Sequence, residues 1–462
     1  MRLSVFRALS IVVSGCICAS IVGSVSATEK LHVFILAGQS NTVGHARAHT
    51  IATLYKTDRP EDKALTQMVF GNADIGAAIE QQLIRARRLD ELSGGISMDR
   101  IKAMADGPEK TAVQAQVDEL LKADEAWKQT VLDACAVSDR VYISSIADRN
   151  VRDGQLGIGY GGDDVKIGPE YGFGLRIAEK IDGPILLIKT SWGGKSLMYD
   201  FRPPSAAEFR TTKAYHDAKL QAEANHKRYQ EAVDNFPEAE KKYALDLAAW
   251  QEKMKTADED EKKKLREPRK PSLPRKPEPF AMDDAGFFWN EMIAHIKKVL
   301  ADPGKYHPGY DAKAGFEVAG FVWFQGFNDQ FNSEYHGNYA ENMRLFIKDV
   351  REELQTPQMP FVIGVLGTPV TKEKVDENEV SLAQRKAAQF PEFAGNVRAV
   401  ESYTQYSHFA NQVFEKGWPA HYHEWSTVGS DRPYHYLGSG AFFVRLGNSF
   451  AENLGELMGA TD

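Results

Sequence analysis

At 462 residues the chain exceeds one minimal domain and has room for a large domain with insertions, or for two. Its 43% hydrophobic and 26% charged content is ordinary for a globular protein, and a formal net charge of −8 speaks against nucleic acid or an anionic membrane surface as the main partner. A neutral or weakly charged substrate fits that balance.

Residues 1–27 read as an export signal, with Arg2 and Arg7 at a basic start, a mostly apolar run over 8–22, and Val25-Ser26-Ala27 as a small-residue cleavage site. The mature chain is then expected to cover 28–462 as a periplasmic or secreted protein with no membrane span. A lesser alternative is a lipoprotein box at Val13-Ser14-Gly15-Cys16, which would anchor Cys16 to a membrane. Cleavage after Ala27 removes Cys16 and Cys18. Cys135 is then alone, so neither an intrachain disulfide nor a cysteine metal cluster can form.

Residues 31–44, LHVFILAGQSNTVG, begin with an apolar run that stops at Gly38, two positions before Ser40. This is the pattern of a strand buried on both faces that ends in a tight turn. Residues 56–136 follow as a polar helical region broken at Gly94-Gly95 and Gly107-Pro108. A strand is expected at 141–146 and a glycine-rich loop over 154–174. A short helix at 175–181 precedes a second buried strand at 184–189, closed by Ser191-Trp192-Gly193-Gly194. From 215 to 266 the composition shifts to Ala, Glu, Lys and Gln. Tyr243, Leu247, Trp250 and Met254 form one apolar stripe there, and Pro237 is expected to split the stretch into a helical hairpin. Residues 267–279, EPRKPSLPRKPEP, read as an extended tether.

The alternation resumes with a helix at 287–300 and a third buried strand at 319–324, which ends in Gln325-Gly326-Phe327-Asn328-Asp329. A helix at 339–354, a strand at 361–366, a helix at 381–389 and a strand at 397–400 follow. Tyr434-His435-Tyr436 precedes a last helix from about Ser439. The rhythm predicts an α/β fold, a doubly wound parallel sheet flanked by helices in three layers, with helical insertions at about 56–136 and 205–280. Ligands in such sheets bind beyond the carboxyl ends of the strands. Three glycine turns after buried strands, together with a late histidine, supply what acyl transfer needs. A serine requires a base within reach, and the oxyanion requires fixed N–H donors. Ser191 is a rival nucleophile, and His421, His423 and His435 a weaker metal-binding alternative.

Five stretches make a resemblance specific: FILAGQSN at 34–41, GPEYGFG at 168–174, IKTSWGGKSL at 188–197, WFQGFND at 323–329 and YHYLGSG at 434–440. The chain resembles SGNH-type hydrolases and, within them, the sialate O-acetylesterase and carbohydrate esterase family six (acetyl xylan esterase-like) group. The resemblance implies Ser40 as nucleophile and His435 as general base. Ser40 and Gly194 would be backbone oxyanion donors, with Gly193 second to Gly194. Asn328 is preferred as the side-chain donor and Gln325 is kept as the alternative. Two departures stand out. Phe327 occupies a position that often holds Glu, and Arg432 the position of the usual Asp, which leaves Asp431 to orient His435, with Asp329 as fallback. Gln39, Asn41, Trp192, Lys195 and Phe327 are expected to line the substrate site, with Trp323 and Arg202 as further possibilities.

The reading at this stage is an exported serine esterase acting on O-acetylated carbohydrate, with no cofactor and no metal. A catalytically impaired carbohydrate-binding protein and a lipid or thioester acyl hydrolase are the alternatives. The sequence leaves the sugar and the oligomeric state open.

Overall fold

The structure is a computed structural model that describes residues 29–57, 59–368 and 370–460. The export signal and the lipoprotein box lie outside the described residues. Among those described, the central sheet has seven strands: β1 (Leu31–Gly38), β2 (Val141–Ala147), β3 (Asn150–Gln155), β4 (Ile185–Ser191), β5 (Phe316–Phe324), β6 (Phe361–Val365) and β7 (Val397–Glu401). Their order is β3-β2-β4-β1-β5-β6-β7, and every pairing is parallel except that of β2 with the edge strand β3. The fold is α/β in three layers with helical insertions. Its parallel strands run 2-3-1-4-5-6 in chain order, a variant of the 2-1-3-4-5 order of flavodoxin-like sheets.

Both faces of β1 are covered, which explains why it is almost wholly apolar. Phe34 and Leu36 join one core cluster, whereas Val33, Ile35 and Ala37 join the other. The first core is closed by α3 (Pro169–Lys180) and α8 (Gly440–Met458), with packing from the insertion helices α1 (Ile75–Ser93) and α2 (Pro108–Ala134). The second is closed by α5 (Phe287–Ala301), α6 (Ser333–Glu353) and α7 (Glu379–Ala387).

Register gathers the loops. Gly38 of β1 pairs with Ser191 of β4 and with Phe324 of β5, and Ser191 also pairs with Ala147 of β2. The four strands therefore end level, and the segments starting at Gln39, Asp148, Trp192 and Gln325 leave the sheet side by side. Gly38 is required here, because a Cβ at this position would lie 2.1 Å from the Phe324 carbonyl oxygen.

The structure corrects three expectations. β3 forms a hairpin with β2 across Asp148-Arg149, where the sequence predicts no second strand and a loop from residue 154. Asp148 adopts a left-handed backbone (φ +55°), which short polar side chains tolerate in tight turns. α3 begins at Pro169, six residues earlier than expected, with proline at a first-turn position where no N–H is needed. Pro237 does not divide a hairpin. It sits within one 44-residue helix, α4 (Lys213–Thr256), about 66 Å long by helical rise. The proline is exposed, so water can take the carbonyl it leaves unpaired. The proline-rich strap returns beside this helix, with Pro274 and Pro277 facing Arg228 and Tyr229.

Candidate active site

Ser40 opens a one-turn helix, Ser40–Val43, directly after β1, with Gln39 as its N-cap residue. Its side chain makes no hydrogen bond among the described residues, and its N–H, first in the helix, has no backbone acceptor there. The turn is held from three sides. Gln39 Oε1 accepts from the N–H groups of Gly326 (3.0 Å) and Asn328 (3.4 Å), and Thr42 Oγ1 donates to the Phe324 carbonyl at 2.6 Å. Beneath it, the Lys189 ammonium donates to the carbonyls of Val43 and Tyr160 and to Glu170 Oε2, all within 2.9 Å and wholly buried.

The His435 loop meets this turn from the far end of the chain. Asn41 Nδ2 donates to the Tyr434 carbonyl at 3.2 Å, so the residue after Ser40 is tied to the residue before His435. Tyr436 and Leu437 both have left-handed backbone conformations. The loop is locked around them. Tyr436 Oη accepts from the Gly367 N–H, and its ring stacks on Phe442 at 4.0 Å, while the N–H groups of Ser430 and Asp431 donate to the Leu437 carbonyl. Strained backbone held by surrounding contacts of this kind is characteristic of functional loops.

Within the loop, Asp431 Oδ2 lies 3.1 Å from His435 Nδ1, at ion-pair distance but without an aligned hydrogen bond. Burial raises the Asp431 pKa, but His435 and the Arg432 N–H outweigh it and hold the carboxyl below its ordinary value. His45 is the unforeseen member. Its ring stacks on that of His435, with centroids 4.2 Å apart and planes 8° from parallel, and its Nδ1 lies 3.7 Å from the same carboxylate oxygen. Burial, then the neighbouring His435, lower the His45 pKa to about 4, so it is neutral at pH 7.

The glycine turn after β4 forms the opposite wall. The Gly193 N–H donates to Asp148 Oδ1 at 2.6 Å and is occupied. Gly194, at φ +70° and exposed, has an N–H with no acceptor among the described residues. Asn328 lies across from it: its Oδ1 accepts from Gln39 Nε2, and its Nδ2 donates one hydrogen to the Gly194 carbonyl, which leaves the other free.

Residues 280–412 match the sequence profile described as a carbohydrate esterase, sialic acid-specific acetylesterase family. This segment carries the Gln325–Asp329 turn of the site, while Ser40 and His435 lie outside it. Over that segment the chain is similar to this family. No curated protein sequence matches it. Among solved structures, a protein from Arabidopsis thaliana is 13% identical, with 92% of this chain and 98% of that one covered at a TM-score of 0.38. A carbohydrate acetylesterase from Xanthomonas citri is 12% identical, with 80% of this chain and 49% of that one covered at a TM-score of 0.29.

The other expected residues divide into two sets. Gln325 is buried, and both of its amide hydrogens are taken, by the Lys195 carbonyl and by Asp329 Oδ2, so it braces the loop and has no donor to offer. Asp329 accepts from Gln325 and from the N–H groups of Leu197 and Met198. It too is a brace, and burial raises its pKa to about 6. Gln39 and Asn41, 1% and 2% exposed, tie loops together and present no surface to a substrate. Lys195 sits over the Phe288 ring near Asp200, Arg202 holds the carbonyls of Met198 and Ala207, and Trp323 is core. Trp192 is half-buried between Phe201 and Phe288. Phe327 remains at the rim, half-buried beside Tyr434. Ser191 is wholly buried and donates to the Ile146 carbonyl, so it cannot serve as a nucleophile.

The histidine triplet is not a cluster. His421 and His423 lie beside Asp90, whose carboxylate accepts from the His423 and Glu424 N–H groups. Among the described residues, those with ligand atoms grouped within 4.8 Å are His45, Asp431 and His435. A metal binds in the plane of an imidazole ring, and one ion cannot lie in both of two parallel stacked planes. The arrangement favours proton handling over metal ligation.

Proposed function

We propose that the chain is a serine esterase that removes O-acetyl groups from carbohydrates through an acetyl-Ser40 intermediate. The observation that carries this reading is the Asp431–His435 contact, on a loop that Asn41 ties to the Ser40 turn. The Asp431 carboxylate, 3.1 Å from Nδ1, favours a proton on that nitrogen, which leaves Nε2 as the basic atom. Ser40 Oγ attacks the ester carbonyl as Nε2 takes its proton. The tetrahedral oxyanion is met by the N–H groups of Ser40 and Gly194 and by the free amide hydrogen of Asn328. His435 then returns the proton to the departing sugar oxygen, and water repeats the cycle to release acetate. None of these steps requires a cofactor. The acetyl group and the carbohydrate rest on the family resemblance, and we read the protein as exported, periplasmic or secreted, from its first 27 residues.

The test is release of acid from 4-nitrophenyl acetate and 4-nitrophenyl octanoate by the wild type and by Ser40→Ala. The reading expects acetyl to be preferred and the variant to be inactive. Equal release by both proteins would indicate a carbohydrate-binding protein without turnover, and a preference for octanoyl would indicate a lipid or thioester acyl hydrolase.

A further inference from the structure

The large aromatic side chains that are exposed among the described residues are Phe287, Phe331 and Tyr434, and two of these belong to a single row of rings that ends at His435. Phe331 (71% exposed) meets Phe327 edge-to-face at 5.2 Å, Phe327 meets Tyr434 (44% exposed) at 5.9 Å, and Tyr434 meets the His435 imidazole at 4.5 Å. Exposed aromatic surface on this scale costs hydration free energy and marks binding sites when contiguous. The row starts at the base assigned above and runs outward, so whatever covers it is continuous with the reacting ester.

Its borders are neutral amides. Asn328, Gln330 and Asn332 alternate with Phe327, Asp329 and Phe331 along the chain, and Asp329, the one acid among them, is turned inward and fully buried. Gln330 Oε1 accepts from Asn378 Nδ2, which leaves its own amide donors free, and Asn332 spends its Oδ1 on capping α6 while its Nδ2 stays free. Flat apolar faces flanked by uncharged donors suit a neutral sugar ring, which offers a C–H face to the aromatic and hydroxyls to the amides. A lipid chain would instead be expected to find an enclosed aliphatic groove, and a charged peptide opposed charges.

We propose that Phe331, Phe327 and Tyr434 form a stacking subsite for the sugar residues adjoining the acetylated one, so that the substrate is an oligosaccharide or polysaccharide and not a single sugar. This inference rests on the esterase reading. Phe331 and Tyr434 then determine specificity by contacting substrate away from the reacting atoms.

The experiment compares acetylated mono-, di- and trisaccharides of xylose, glucose and N-acetylglucosamine, with 4-nitrophenyl acetate as an ester that reaches only the catalytic end. For the preferred sugar, KM is expected to fall with chain length in the wild type. In Phe331→Ala that dependence is lost, and KM for the trisaccharide rises about tenfold with kcat little changed, the effect of losing one stacking contact. Phe331→Trp restores it. No chain-length dependence in the wild type, or an equal fractional loss on trisaccharide and 4-nitrophenyl acetate, overturns the subsite. Should the protein hydrolyse none of these esters, calorimetric binding of the unacetylated trisaccharides decides separately. Binding that Phe331→Ala abolishes supports the subsite without the esterase, and absence of binding rejects both.

Discussion

His45 and His435 both approach one oxygen of the Asp431 carboxylate, and the roles of Asp431 and His45 can be separated by substitution. Asp431→Asn keeps the shape but no longer favours the Nδ1–H tautomer or the imidazolium. Its kcat on an acetyl ester is expected to fall on the order of 10⁴-fold, as when the orienting carboxylate of a serine hydrolase is neutralised. Near-normal turnover would remove Asp431 from the triad. His45 is expected to act as a neutral plate that fixes the plane of the His435 ring. His45→Ala should therefore lower kcat about tenfold while His45→Phe, which keeps a flat neighbour, recovers most of it, with KM little changed in both. Equal loss in the two variants would show that the stack is not what matters. Ser40 and His435 could be nominated from sequence because each lies in a short stretch that resembles a known motif, whereas Asp431 could be named only as the acid beside Arg432, which stands at the usual Asp position. His45 could not, because nothing in Gly44-His45-Ala46 signals that a residue nearly four hundred positions away will stack on it. Gln39 and Asn41 differ from expectation for a related reason: polar residues beside a candidate nucleophile suggest substrate contacts, and only the folded chain shows that their hydrogen bonds go to other loops.

At the level of elements, the site depends on the four strand ends lying level and on the buried Lys189–Glu170 pair beneath the Ser40 turn. Burial lowers the Lys189 pKa and raises that of Glu170, and each charge is tolerable only with its partner and the surrounding carbonyls present. Lys189→Met is expected to destabilise the protein by about 3–5 kcal/mol, because Glu170 is left alone in the core, and to loosen the Val43 end of the turn. Adding Glu170→Leu should recover much of that stability but not the activity, since Val43 still lacks its anchor. Urea denaturation with parallel esterase assays measures both. Strands with two buried faces were legible from their apolar runs alone. The edge strand β3 was not, since its sequence NVRDGQ is polar and largely exposed and has no period that separates it from a loop. The long helix α4 was misread at Pro237 because the rule that proline breaks helices assumes that no solvent can reach the freed carbonyl.

At the scale of the whole molecule, one buried and one half-buried histidine give stability a definite pH dependence. Burial lowers the pKa of both His45 and His49 to about 4 from an ordinary 6.5, so between these values the unfolded chain takes up protons that the folded one refuses. Their contribution to stability is complete above about pH 6.5 and is lost as the pH falls toward 4. Asp329, raised to about 6, works in the opposite sense over roughly the same interval, leaving a net rise in stability with pH from two histidines against one carboxyl. The urea midpoint is expected to rise from pH 4.5 to pH 7, and His49→Gln should flatten that rise; an unchanged slope would contradict the assignment. The layering of the fold and the convergence of its loops were readable from the alternation of buried strands and helices. The strand order was not, because the sequence does not record which parallel strands become neighbours. Peptide mapping by mass spectrometry, after the protein is quenched during turnover of an acetyl ester, tests the central claim most directly. The account predicts an acetyl group on Ser40 in the wild type and none in Ser40→Ala, which should also release no acetate. Acetate release by Ser40→Ala at the wild-type rate, with no acetylated Ser40 in either protein, would contradict it.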